Sequence, residues 1–135
     1  MVDLEKVRKF FIADRFAMEQ GIVIEEAEEG YAKCTVIPNE HHLNAGGAVQ
    51  GGLTFTLADF AFAVASNCTG SLTVSLENNI SFIAPPKGKM TAIARVVRET
   101  KSVAFCDVEV FDETQKIIAK MSVTGYKKGK IEFQE

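Results

Sequence analysis

Hydrophobic residues divide the chain into one continuously apolar segment and several shorter segments in which apolar and polar positions alternate. Between residues 50 and 67, apolar side chains recur at helical spacing on every face, which predicts one long α-helix. Gly70 lies just beyond this segment and provides the usual glycine stop. Because a helix that is apolar on all sides is normally buried, we expect this central helix to lie in the middle of the core.

Runs with the period of a β-strand lie on both sides of the central helix. Before it, residues 22–24 and 31–37 predict two strands, and the acidic segment 25–30 predicts the turn between them. After it, four further runs joined by tight links predict an antiparallel meander. These four strands are expected at residues 72–84, 90–98, 103–111 and 116–127.

A shorter helix is predicted near the N-terminus, over residues 3–13. Asp3 can cap it, and Leu4, Val7 and Phe11 recur at helical spacing. Together with the six strands and the central helix, it gives an α+β fold in one domain that covers residues 1–135. The sheet should curl around the central helix, because that helix offers the apolar surface needed to cover one face of the sheet.

The central helix has more apolar surface than one sheet can cover. A lone subunit would leave part of the helix or part of the sheet edge exposed, and a large exposed apolar patch marks an interface. We therefore expect a homo-oligomer, most simply a two-fold homodimer, or a homotetramer built from two dimers.

Composition excludes several classes of partner. The net charge of -3 and the pI near 5.5 argue against a nucleic-acid-binding protein, because such proteins carry a basic patch. The apolar runs are too short for a membrane span, and the N-terminus does not resemble a signal peptide. Three cysteines without CxxC spacing indicate free buried thiols, so we expect a protein of the reducing cytoplasm.

Asp59 is the only carboxylate in the central helix and the first candidate for chemistry. Burial of an unpaired carboxylate is unfavourable, so we expect Asp59 to have a function. Pairing with an arginine elsewhere in the chain would be an alternative explanation. Gly51 and Gly52 lie at the start of the same helix. Free backbone N–H groups and the helix dipole at that end can bind a phosphate or a developing oxyanion.

Gly51 and Asp59 cannot act on one carbonyl group from the same helix. They are eight residues apart, which corresponds to about 12 Å along the helix axis. Two such helices that cross antiparallel at a dimer interface would bring Gly51 of one subunit close to Asp59 of the other. If both residues take part in chemistry, we therefore expect active sites that are shared between two subunits.

Other kinds of site have weaker support in the sequence. The glycine segment 46–52 lacks the lysine of a Walker A loop, because Gly52 stands at that position. The only two histidines, His41 and His42, are adjacent and form a poor ligand set, so we expect no metal site. Cys68 has no histidine nearby in the sequence that could activate it as a nucleophile.

Several residues around the central helix occur in a characteristic order. They are Asn44, Gly47, the triplet Gln50-Gly51-Gly52, the stretch Leu57-Ala58-Asp59-Phe60-Ala61 and the segment 74–85. This order resembles that of the hotdog-fold acyl-CoA thioesterases of the PaaI-like group, and the resemblance extends from about residue 17 to residue 127. It implies a hotdog fold, in which an antiparallel sheet wraps around one long helix. It also implies hydrolysis of an acyl-CoA to a free acid and coenzyme A, at an active site on a dimer interface.

The resemblance assigns roles to individual residues. It implies that Asp59 activates a water molecule or attacks the thioester carbonyl directly, and that the N–H of Gly51 polarises that carbonyl. It implies that Asn44 orients the reacting groups and that Ser75 assists the acid or its water. Substrate contacts are expected from Gly52, Phe82 and His42. Coenzyme A enters as part of the substrate, and no other cofactor is implied.

One position departs from the family pattern. Gln50 stands where the family usually has a histidine, and glutamine can form hydrogen bonds but cannot titrate near neutral pH. An alternative is therefore a hotdog module that binds an acyl-CoA without hydrolysing it. Hydration or dehydration of a thioester is a further alternative, but that chemistry usually needs a catalytic histidine at another place. Short or medium aliphatic chains and aryl groups all remain open as the acyl group.

Overall fold

All 135 residues of the chain, 1–135, are described by the computed structural model. Its helices are α1 (Leu4–Phe11), α2 (Arg15–Glu19) and α3 (Gly51–Asn67), and a 3₁₀ turn covers Glu40–His42. Its strands are β1 (Val23–Glu28), β2 (Tyr31–Val36), β3 (Ser71–Phe82), β4 (Met90–Glu99), β5 (Val103–Phe111) and β6 (Ile117–Lys130). None of the helices is both long and apolar enough to cross a lipid bilayer.

The six strands form one antiparallel sheet in the order β1-β2-β4-β5-β6-β3. The long helix α3 lies against one face of this sheet and contacts every strand. The sequence-based expectation of an α+β fold, with an antiparallel sheet curled around one central helix and a short N-terminal helix, is confirmed.

The strand order corrects the expected four-strand meander. β4, β5 and β6 form consecutive hairpins, but β3 pairs with β6 instead of β4. The reason lies in the connections. Helix α3 carries the chain across the sheet from β2 to β3, and Pro85 and Pro86 prevent a tight hairpin between β3 and β4. β3 is therefore an edge strand with one unpaired side, and β2 takes the place beside β4.

Most of the acidic segment 25–30 is strand, which is a second correction. β1 continues to Glu28, which pairs with Tyr31, and only Glu29 and Gly30 form the turn. Gly30 has a φ of +68°, which few other residues adopt, and this allows the tight reversal. Burial of Ala27 explains why the segment pairs despite its charge, since one face of the strand contributes to the core.

Helix α2 has only five residues and is not predicted by the sequence pattern. Asp14 caps it, because its side chain accepts a hydrogen bond from the N–H of Ala17 at 3.1 Å. Gly21, with a φ of +82°, reverses the chain after it. This short helix packs against α3 and forms one wall of the candidate site described below.

Both ends of α3 are fixed by side chains. At its start, the side chain of Gln50 accepts a hydrogen bond from the N–H of Gly52. At its end, Asn67 accepts from the N–H of Thr73 at 2.8 Å and donates to the carbonyl of Thr73 at 3.2 Å. Gly70, with a φ of +99°, reverses the chain between them. β3 therefore begins beside the C-terminal end of α3 and runs back toward its start.

The core lies between α3 and the concave face of the sheet. Leu57, Phe62 and Val64 of α3 are fully or almost fully buried there, together with Met90 and Val108 of the sheet. Three cysteines are also buried and unpaired, as the sequence predicts; they are Cys34, Cys68 and Cys106. The sheet therefore presents its apolar face to the helix, and its opposite face carries alternating polar side chains such as Asp107.

Candidate active site

Helix α3 leaves one stripe along its length that the sheet does not cover. Gly51, Phe55, Asp59 and Ala63 are partly exposed, whereas most other residues of the helix are buried. They follow one another at intervals of four residues, so each lies about 40° around the helix from the previous one and together they form one face. We call the face formed by these four residues the α3 groove. Helix α2 lies beside its middle part, around Asp59, and Phe82 of strand β3 lies against Gly51.

Asp59 lies in the middle of the α3 groove. Its side chain faces a cavity of about 270 Å³, and α2 contributes Asp14 and Phe16 to the walls of that cavity. The carboxylate forms no ion pair with any lysine, arginine or histidine of the chain. Burial raises the pKa of Asp59 above its ordinary value, and the negative charge of Asp14 raises it further. A carboxylate with a raised pKa is a stronger base than one in water.

The start of α3 presents one free hydrogen-bond donor. The side-chain oxygen of Gln50 occupies the N–H of Gly52, and the carbonyl of Gln50 accepts from the N–H of Leu53. The N–H of Gly51 has no acceptor in the chain. Gly51 therefore offers an unpaired donor at the positive end of the helix dipole, where an oxyanion is stabilised. A side chain at Gly52 would overlap the capping oxygen of Gln50, which explains the second glycine.

Asn44 organises the loop that leads into α3. Its side-chain oxygen accepts hydrogen bonds from the N–H groups of Gly46 at 2.9 Å and Ala48 at 3.1 Å. Its backbone N–H donates to the carbonyl of Ala48 at 2.7 Å, and Gly47 turns the loop with a φ of +85°. The side-chain nitrogen of Asn44 has no hydrogen-bond partner in the chain, and the residue is exposed.

His42 joins three elements at the start of α3. Its Nδ1 accepts from the N–H of Asn39 at 3.0 Å, so its Nε2 carries the hydrogen and donates to Oε1 of Gln20 at 3.1 Å. Its carbonyl accepts from the N–H of Gln50 at 2.8 Å. The ring is buried in the wall of a cavity of about 360 Å³ that Phe16 also lines. His41, in contrast, is exposed.

Strand β3 carries two of the expected site residues, of which Phe82 lies against the α3 groove. The ring of Phe82 covers Gly51, since a Cβ built on Gly51 would lie 3.3 Å from the Cε1 atom of that ring. Ser75 pairs with Gly125, which faces Phe62 of α3, so Ser75 also points toward the helix side of the sheet. Ser75 is exposed near the free edge of the sheet, and no hydrogen bond joins it to Asp59.

The structure therefore separates the expected site residues into two groups. One group surrounds the start of α3 and contains Asn44, Gln50, Gly51, Gly52, Phe82 and His42. The other consists of Asp59 alone, farther along the helix. Ser75 lies on the edge strand, outside the cavities that contain the other expected residues. Asp14 and Phe16 border Asp59 but have no role in the sequence-based interpretation. The capping preference of aspartate would have indicated α2, but its position beside Asp59 depends on the fold.

The chain is similar to named esterases and thioesterases over most of its length. The model of the Thioesterase superfamily matches residues 46–119. A putative esterase of Archaeoglobus fulgidus is 39% identical over 104 residues, which make up 76% of this chain and 68% of that protein. The acyl-coenzyme A thioesterase PaaI of Escherichia coli K12 is 34% identical over 108 residues, with 78% of this chain and 77% of that protein covered.

Structural comparison gives the same relationship. The solved structure of the E. coli PaaI protein from the phenylacetic acid degradation operon superposes with a TM-score of 0.90. The two chains are 30% identical, and 96% of each is covered. This match confirms the hotdog fold and the family resemblance inferred from the sequence. The chain therefore belongs to the thioesterase superfamily.

Proposed function

We propose that this protein hydrolyses an acyl-CoA thioester to a free acid and coenzyme A, in active sites that each combine residues of two copies of the chain. The observation that carries the proposal is the position of Gly51 and Asp59 on one face of α3. The N–H of Gly51 has no acceptor and the carboxylate of Asp59 has no cation beside it. An oxyanion donor and a general base are expected in this state before substrate binds.

A single chain cannot bring these two groups to one thioester. Eight residues of helix separate them by about 12 Å, whereas both must come within about 3 Å of the reacting atoms. A two-fold axis that crosses the α3 groove near Phe55, midway between them, would place Gly51 of each copy opposite Asp59 of the other. A dimer of this kind has two identical active sites.

The exposed surface beside the groove supports such a dimer. β3 is 12 residues long and has one unpaired edge, which can pair with a strand of a second copy. Large apolar side chains flank this edge and the groove, and Phe16, Leu76 and Phe82 are 63%, 64% and 57% exposed. A second copy packed here would cover them. We therefore infer a homodimer, or a homotetramer made of two such dimers.

The proposed reaction uses the two groups in sequence. The thioester oxygen accepts a hydrogen bond from the N–H of Gly51, and Asp59 of the other copy takes a proton from water as the water oxygen bonds to the carbonyl carbon. The helix dipole and the same N–H stabilise the oxyanion. When this intermediate collapses, the C–S bond breaks and Asp59 returns the proton to the thiolate. Direct attack by the carboxylate would instead form an anhydride, which water then hydrolyses.

The remaining site residues have supporting roles in this proposal. The free side-chain nitrogen of Asn44 would orient the thioester, and Ser75 would hold Asp59 or its water. Phe82 and His42 would form walls around the substrate, and Gly52 would let it approach the start of the helix. Coenzyme A is part of the substrate, and the proposed steps need no other cofactor.

Gln50 favours one alternative function, an acyl-CoA-binding module without turnover. Its side-chain oxygen caps Gly52, and its amide cannot supply a proton to a leaving thiolate. In the proposed enzyme, that proton comes from Asp59. In the enzyme, Asp59 takes a proton from water and returns it to the thiolate. In the binding module, Asp59 does neither.

The test is thiol release from a panel of acyl-CoA substrates. Asp59→Asn should lower kcat by about 10²–10⁴, as expected for loss of a general base. Asp107→Asn is the matched control, since Asp107 is exposed on the opposite face of the sheet and should leave the rate unchanged. Equal turnover in Asp59→Asn and the control would refute the role of Asp59. Acyl-CoA binding by calorimetry without thiol release from any substrate would establish the binding module instead.

A reducing compartment suits the three cysteines. Burial raises the pKa of Cys68 to about 11 and that of Cys106 to about 12, so these thiols stay protonated. Unpaired thiols of this kind are typical of cytoplasmic proteins, and we propose the cytoplasm as the location.

A further inference from the structure

Two carboxylates share the cavity beside α3. Asp59 enters it from α3 and Asp14 from the start of α2, and every other residue around the cavity is uncharged. No lysine, arginine or histidine forms an ion pair with either carboxylate. Asp14 is exposed and Asp59 is partly buried, and two like charges that line one cavity disfavour each other.

The position of Asp14 is fixed by its own helix. Its side-chain oxygen accepts a hydrogen bond from the N–H of Ala17 at 3.1 Å and so caps α2. Asparagine and serine cap helices about as well as aspartate. Capping therefore explains the hydrogen bond but does not require the negative charge at this place.

We propose that Asp14 is a positioning residue for Asp59: its negative charge, held by the cap of α2 in the wall of the same cavity, makes the Asp59 carboxylate hold its proton more tightly. This inference rests on the proposed function, because it concerns the proton cycle of the same site. The direction agrees with the effect of Asp14 on the pKa of Asp59, which adds to that of burial. Within this chain, Asp14 is the only other charged residue that lines the cavity around Asp59.

A tighter hold on the proton has a chemical use in this chain. The carboxylate must first accept a proton from water and then keep it until the thiolate leaves. Gln50 cannot take over the second step, since its amide does not titrate. The charge of Asp14 makes Asp59 a stronger base in the first step. The protonated carboxyl remains a stronger acid than a thiol, so it can still protonate the thiolate in the second step.

The test replaces Asp14 by two neutral capping residues, in Asp14→Asn and Asp14→Ser. Asp3→Asn is the matched control, because Asp3 caps α1 in the same way and does not line the cavity. The titration of the Asp59 carboxyl carbon is followed by ¹³C NMR in the full-length protein, and the pH profile of kcat is measured alongside. The spectra are assigned with Asp59→Asn.

Both Asp14 variants should move the Asp59 titration midpoint to lower pH, and the acid limb of the kcat profile should move in the same direction. The Asp3→Asn control should change neither. A midpoint in the Asp14 variants that equals that of the control, or that moves to higher pH, would overturn the proposal.

The two readouts separate this inference from the proposed function. If no acyl-CoA is hydrolysed, the NMR titration still decides whether Asp14 controls Asp59, and only the proposed function fails. If hydrolysis depends on Asp59 but the Asp14 variants titrate like the control, the proposed function stands and the role of Asp14 is refuted.

Discussion

Replacing Gly51 by proline would remove a single backbone N–H from the start of α3. Gly51 is the first residue of the helix, and proline is favoured at that position because its missing N–H has no intrahelical partner. Gln50, the preceding residue, has φ −68° and ψ 135°, which is the extended conformation that a residue before proline prefers. The backbone is therefore already suited to proline, and the substitution tests the N–H itself.

The expected changes in stability and in kcat follow from the geometry around Gly51. A new Cβ at Gly51 lies 3.3 Å from Cε1 of Phe82, but that ring is 57% exposed and can turn away. Gly51→Ala introduces the same Cβ and keeps the N–H, so it is the matched control. We expect the free energies of unfolding of the two variants to agree within about 1 kcal/mol. Loss of one oxyanion donor should lower kcat of Gly51→Pro about 10²–10³-fold below that of Gly51→Ala, equivalent to about 3–4 kcal/mol.

Thiol release under substrate saturation measures kcat for both variants, and urea denaturation measures their stability. The reasoning is refuted if Gly51→Pro is as stable as Gly51→Ala and turns over at a similar rate. In that case the free N–H at the start of α3 does not stabilise the oxyanion.

Three further predictions concern stability. Asp59→Asn should melt at a higher temperature than the wild type at pH 7. Burial raises the pKa of Asp59, so wild-type stability falls as the pH rises above about 3.8, and the difference should vanish below that pH. Gln50→Ala removes the cap of α3 and should lower the free energy of unfolding, measured by urea denaturation, by about 1 kcal/mol. Gln50→Asn should keep a cap and the wild-type stability. Gly125→Ala should lower the free energy of unfolding by about 1–3 kcal/mol, because its Cβ would lie 2.9 Å from a ring carbon of Phe62. Gly129→Ala is the control and should leave the stability unchanged, because the space around Gly129 is open.

The central helix and the later strands could be predicted because their signals are local. α3 is apolar through its whole length and ends at Asn67, three residues before Gly70, whose positive φ turns the chain toward β3. β5 covers the residues that its alternation of polar and apolar side chains predicts. The pairing of β3 with β6 could not be read in the same way. This pairing depends on where α3 carries the chain across the sheet. The alternation of polar and apolar residues within a strand does not indicate which other strand pairs with it.

The site residues show a similar division between local and non-local information. The helix position of Asp59 and the distance from Gly51 follow from numbering alone. The hydrogen bond from the N–H of Gly52 to the side-chain oxygen of Gln50 is harder to predict, since glutamine is not among the preferred capping residues. Asp14 lies beside Asp59 only because a five-residue helix without a clear periodicity packs against α3.

The shared active site is tested most directly by mixing two inactive variants, Gly51→Pro and Asp59→Asn. In a mixed dimer, one site contains both substitutions, while the other combines an intact Gly51 with an intact Asp59. Coexpression in equal amounts makes about half of the dimers mixed, so about a quarter of the wild-type activity should appear. Each variant alone should stay nearly inactive. Activity of the mixture that does not exceed the average of the two variants, in dimers shown to be mixed, would contradict the shared site.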